Sequence, residues 1–170
     1  MNRRQRLRRV GILCCHFLRN LAFYKAGWRN GDHVFKGQFL ATANANCLDV
    51  CVLEWCKLFA EKSGKQHWSK VITERDRFFD GLLQAVSRTD TEFDAYVKEM
   101  RGYRDKFIAH LDDELEMRIP KLRVARKSIS YLYTYLLENE EEGTCFHDAP
   151  KKASSVYENF VAQGKRAYRN

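Results

Sequence analysis

Apolar residues recur three and four positions apart through most of this chain, and almost nothing interrupts them. Its only prolines are Pro120 and Pro150, and proline is the residue that most reliably ends a helix. Spacings of three and four put side chains on one face of a helix, whereas a strand needs a period of two. The fold is therefore expected to be all-α, an up-and-down bundle of four to five helices. A length of 170 residues suits one domain with a substantial core.

The first expected helix runs from Arg4 to about Lys25, with Val10, Cys14, Phe17, Leu18 and Leu21 as its buried stripe. Gly27 to Asp32 is a turn-rich break. Phe35 to Ala60 then makes a long helix that is apolar on more than one side, which places it centrally. Glu74 to Val86 is a shorter helix. Thr89 or Asp90 caps the next one, which carries Phe93, Tyr96, Val97, Met100, Tyr103, Phe107 and Ile108 and persists to about His110. Pro120 suits the opening of the last long helix, which frays at residues 140–143. A weak helix is expected around Ser154 to Gln163. There is no strand-type alternation.

The net charge of +8 is unevenly spread. Residues 1–9 carry Arg3, Arg4, Arg6, Arg8 and Arg9 with no acid, and residues 151–170 carry five bases against Glu158 alone. The body between them is balanced at a net of −1. The expected organisation is a basic arm at 1–9 leading into the first helix, a bundle at 10–142 and a basic tail at 143–170. A basic arm favours polyanions by counterion release, and a solvated terminus is the plain alternative.

Other classes are disfavoured. No apolar run approaches the ~18 residues of a membrane span, and His16, Arg19 and Asn20 cross the apolar stretch where a signal peptide would need continuity. No membrane contact is expected, and the cytoplasm is the expected compartment. Cys14, Cys15, Cys47, Cys51 and Cys56 sit in apolar helical segments, and with Cys145 form no Cys-x-x-Cys pair, so reduced cysteines acting as small hydrophobes are expected. No metal and no cofactor are expected. Neither a phosphate-binding Gly-x-x-x-x-Gly-Lys loop nor a Gly-x-Ser-x-Gly elbow occurs. Glu54 with Lys57 reads as an ion pair, Trp68 as a staple for its loop beside His67, and Tyr131 with Tyr135 as core residues with wet hydroxyls. His16, His33 and His147 lack metal-ligand spacing and are assigned nothing.

One segment carries chemistry: Tyr103-Arg104-Asp105-Lys106-Phe107-Ile108-Ala109-His110-Leu111-Asp112-Asp113. It resembles the signature of the HEPN superfamily, an arginine and a histidine four to six residues apart near the end of a bundle helix. The separation here is five, and polar Asp105 follows the arginine. The wording looks most like the branch related to bacterial abortive-infection proteins, as do residues 47–59 and the Ile119-Pro120 helix start, so the resemblance spans about residues 10–142. Arg9 and His16 match the bare spacing too, without that context.

The resemblance implies a metal-independent endoribonuclease of toxin or phage-defence type, with Arg104, His110 and Asp105 as catalytic residues and Arg3 to Arg9 gripping RNA. His110 would move the proton of the ribose 2′-hydroxyl or the leaving oxygen, and Arg104 would meet the phosphate charge. The products would be a 2′,3′-cyclic phosphate and a 5′-hydroxyl. Residues six apart on a regular helix diverge by about 120°, so one copy does not set the pair side by side. A symmetric homodimer with a composite site is expected, burying part of the long second helix, and an antitoxin or defence-system partner protein is possible for this class. The alternative is a non-catalytic HEPN module contacting RNA or a protein. In that case Arg104 pairs with Asp112 or Asp113, and His110 complements the helix C-terminus. Position 112 is aspartate, where some two-gene members have a tyrosine that a partner modifies.

Overall fold

The Asn2 side chain accepts a hydrogen bond from the Gln5 backbone N–H while the Gln5 side chain accepts one from the Asn2 backbone N–H, a reciprocal cap that starts the first helix immediately. Helix α1 therefore spans Arg3–Ala26 and absorbs the expected arm. The computed structural model describes residues 1–109, 118–140 and 142–169. The further helices are α2 (Gln38–Phe59), α3 (Arg75–Val86), α4 (Asp90–Tyr103), α5 (Leu122–Asn139) and α6 (Ala153–Ala167). The described residues thus hold six α-helices, one or two more than the expected bundle of four to five, with α6 covering the weak helix expected around Ser154 to Gln163.

Between α1 and α2 the chain makes a two-residue hairpin, β1 (Trp28–Arg29) against β2 (Asp32–His33), paired antiparallel. Asn30 and Gly31 both have positive φ, 52° and 92°. That is the turn an Asn-Gly pair makes most easily. The hairpin runs into a ladder of rings: Trp28 on His33 at 4.0 Å, His33 on Phe35 at 4.7 Å and Phe35 on Tyr168 at 4.9 Å.

The core is assembled around α1 and α2. The Cys51 thiol donates to the Phe17 carbonyl and Asn44 donates to the carbonyls of Phe23 and Tyr24, so the two helices run antiparallel. Trp55 is fully buried, donates to Ser128 of α5, and meets Phe93 and Tyr96 of α4 edge-on. The apolar face of α2 is thereby covered within the chain by α1, α4 and α5. Little of it is left for the partner copy that the sequence led us to expect there. Phe39, 82% exposed at the start of α2, is the exception.

Residues 143–170 hold the basic tail with the weak helix expected around Ser154 to Gln163; α6 covers that stretch and packs along α1. Gly164 lies so close to Ala26 and Phe23 that a β-carbon there would stand 2.8 Å from the Ala26 side chain. The Asn44 amide donates to the Tyr168 hydroxyl at 3.0 Å, and Phe160 meets Phe23 edge-on. No helix among the described residues is long and apolar enough to cross a membrane. All six cysteines are free and buried or half-buried. Burial raises the thiols of Cys14, Cys15, Cys47, Cys51 and Cys56, that of Cys56 to about 12, which keeps them protonated and inert.

Candidate functional site

Thr89 starts α4 with a reciprocal cap, accepting from the Glu92 N–H while Glu92 accepts from the Thr89 N–H. Phe93, Tyr96, Met100 and Tyr103 then face the core at spacings of three and four. After Tyr103 the helix widens into a π turn over Arg104–Ala109. Such turns shift the phase of everything that follows by one residue and recur at functional sites. Arg104 and Asp105 are the first two residues of that turn.

The Arg104 side chain is 17% exposed. Its Nε donates to Asp105 Oδ1 at 2.9 Å, its Nη2 lies 2.8 Å from the same oxygen, and its Nη1 donates to Glu61 Oε1 at 2.7 Å. Desolvation works against the charge, but Asp105, Cys56 and Glu61 outweigh it and hold the guanidinium firmly protonated. Glu61 comes from the loop after α2, 43 residues away in sequence, and nothing in periodicity marks it. Both carboxylates remain substantially exposed, at 42% and 49%. Tyr103 turns to the other side and hydrogen-bonds Asp49 of α2. His110, Asp112 and Asp113 lie outside the described residues.

The loop that carries Glu61 is pinned by His67. His67 Nε2 lies 3.2 Å from the Phe59 carbonyl, and Nδ1 accepts from the Ser69 backbone N–H, with the Ser69 hydroxyl at 2.8 Å. This pattern fixes the neutral Nε2–H tautomer. Burial lowers the pKa of His67 to about 4, against the smaller raising effect of the Phe59 carbonyl. Trp68 staples the same loop to α3, with its ring 4.9 Å from Phe78 and 5.9 Å from Phe79.

The arginines of residues 3–9 do not form a free basic arm. Arg3 pairs with Glu140 and Glu142, and Arg8 holds both oxygens of Asp148 at 2.7 Å while also donating to the Cys145 carbonyl. The hydrogen bond from Arg8 draws Asp148 down to about 2. Arg4 donates to Thr144, Arg6 reaches the Lys70 carbonyl at 3.5 Å, and Arg9 is exposed. Helix formation turns the run around the axis, and the acids of residues 140–148 take up much of its charge.

Glu54 pairs with Lys57 at 3.2 Å, with His16 at 4.0 Å. The Tyr135 hydroxyl is buried without a hydrogen-bond partner among the described residues, whereas Tyr131 is half-buried. No three His, Cys, Asp or Glu side chains converge as a metal site among the described residues. Comparison of the chain with protein-family models, with curated proteins and with solved structures finds no significant match in any of the three.

Proposed function

We propose that this chain is a HEPN-type, metal-independent endoribonuclease of toxin or phage-defence character, working as a symmetric homodimer. The observation that carries the proposal is the state of Arg104. A largely buried guanidinium stands at the first position of a π turn, oriented by its own neighbour Asp105, at the head of the Arg-x5-His motif. A guanidinium has five N–H groups. Asp105 and Glu61 engage each of its three nitrogens once, and the second hydrogen on Nη1 and on Nη2 suits a phosphate oxygen.

Asp105 acts as the positioning residue for the guanidinium. His110 supplies proton transfer, the ribose 2′-hydroxyl attacks the adjacent phosphorus, and the leaving 5′ oxygen departs as a hydroxyl. A second copy of the chain would bring the complementary motif to the same phosphate, and an antitoxin or defence-system protein would restrain it.

A second function is favoured by the same geometry: a non-catalytic module, in which the Asp105 and Glu61 contacts of Arg104 are purely structural. The two separate cleanly. Purified protein, His110→Ala and Arg104→Ala are each incubated with a mixed RNA pool in EDTA, and 3′ ends are read for cyclic phosphate. Cyclic ends from wild type alone support the nuclease. A folded dimer that leaves RNA intact overturns it in favour of the binding module.

A further inference from the structure

An acid-free run of positive residues lies on and just before α5. Residues 118–137 contain Arg118, Lys121, Arg123, Arg126 and Lys127 and no acid. Arg123, Arg126 and Lys127, with Ser130, Tyr131 and Thr134, recur at helical spacing and line one groove of about 510 Å³, whose far wall is Ala85 of α3. Among the described residues no carboxylate pairs with any of the three cations. Lys127 reaches only the Ser87 hydroxyl, at 3.5 Å, and the Arg126 guanidinium lies 3.7 Å from the centre of the Tyr157 ring, which steadies it without cancelling its charge. The groove continues past Arg123 and Arg126 to Lys121 and Lys25 in a second depression of about 560 Å³. At its opposite end it meets Arg77, Asp80 and Glu138, one base against two acids, where the positive stretch ends.

We infer that this groove binds the phosphodiester backbone of a single-stranded nucleic acid. A concave channel fits a flat bilayer poorly. Its lining of cations, hydroxyls and one half-buried tyrosine ring suits phosphates and stacked bases better than the apolar side of a peptide helix. Arg126 and Lys127 follow Arg123 by three and four residues, so the three cations cluster within about 6 Å along α5, and Lys121 and Lys25 carry the positive line on into the second depression. The inference stands apart from the cleavage proposal, since binding here requires neither Arg104 nor His110.

The test is fluorescence anisotropy of the full chain with labelled oligouridylate and oligothymidylate of about 20 nucleotides, across about 50–200 mM salt. The variants are Arg123→Gln with Lys127→Gln, the charge reversal of the same pair to Glu, and Lys36→Glu as an exposed cation elsewhere. The Gln pair is expected to weaken binding about tenfold and to flatten the log–log salt slope by about 1.4. Lys36→Glu is expected to change affinity less than about twofold. If charge reversal costs the fold, the Gln pair alone decides. Equal losses from Lys36→Glu and the Gln pair, or none from the Gln pair, overturn the inference. So does equal or tighter binding of poly-glutamate or phosphatidylserine vesicles, which would make the groove a dock for an acidic protein or a membrane. Comparable affinity for the two oligonucleotides identifies the shared backbone as the ligand, and a preference for the uridylate adds the 2′-hydroxyl.

Discussion

Arg3 and Arg104 are each held by two carboxylates, yet the two clusters are built the opposite way round. In the first, the acid is inside: the Glu140 side chain is 2% exposed and also accepts from the backbone N–H and hydroxyl of Thr73, whereas Arg3 is 44% exposed. In the second, the base is inside and both acids face water. A buried carboxylate with three donors is a structural joint, tying the end of α5 to the start of α1 and to the approach to α3. A half-buried guanidinium whose partners are more exposed than itself is different, because water can replace those partners when an anion arrives. The member of an ion pair that is buried tells which one the fold is built to keep.

The largest expected effect tests the structural half of that contrast. Glu140→Ala strands the Thr73 N–H and removes the buried partner of Arg3, and is expected to cost about 3 kcal/mol in urea unfolding. Arg3→Ala, whose side chain is more solvated, should cost less, about 1 kcal/mol. If the two cost the same, the exposed arginine matters as much as the buried acid and the contrast fails.

Arg104→Ala comes next. RNA cleavage is expected to fall at least about a hundredfold, equivalent to about 2.7 kcal/mol of barrier, with the unfolding midpoint nearly unmoved. A large loss of stability with no cleavage to lose would make Arg104 a second structural joint.

A smaller effect sharpens the role of the loop that bears Glu61. Burial keeps His67 neutral, so between pH 6.5 and 4 the unfolded chain takes up a proton that the folded chain refuses. Stability is therefore lost as pH falls across that window, by about 2 kcal/mol for this residue. Stability–pH curves of wild type and His67→Gln should converge at the acid end; parallel curves would show that His67 is not the anchor. The smallest effect belongs to Glu61→Gln. It removes one negative charge beside the guanidinium and is expected to raise kcat/KM for RNA about threefold while changing stability by under about 0.5 kcal/mol. A loss of cleavage instead would move Glu61 from restraint to catalytic support.

Helices were the legible part. The stripe Val10-Cys14-Phe17-Leu21 and the cap at Thr89 are local signals, and α1, α2, α4 and α5 lie within a few residues of where those signals put them. The Asn30-Gly31 hairpin was also written plainly, as the commonest two-residue turn pair, but short strands do not register in apolar periodicity. How the arm and the tail are seated was not legible, for one shared reason. Counting charge along the chain cannot show that Arg3 and Arg8 meet acids some 140 residues away, or that α6 has α1 to cover it. For the site, Arg104 and Asp105 were visible through their motif. Glu61 was not, because a loop residue that closes on a distant arginine leaves no periodic trace. The acid-free run at 118–137 needed only the same count applied to the interior as to the ends.

The seating of α6 on α1 has a kinetic consequence. The Asn44–Tyr168 hydrogen bond spans 124 residues, so the groove that α6 fills on α1 stays open until almost the whole chain is available. Contacts this far apart in sequence are the slowest to form, because the loop entropy is lost before the contact repays it. The pairs α1–α2 and α3–α5 can assemble early. The first helix of the chain, by contrast, is completed by the last, and folding is expected to end where it began.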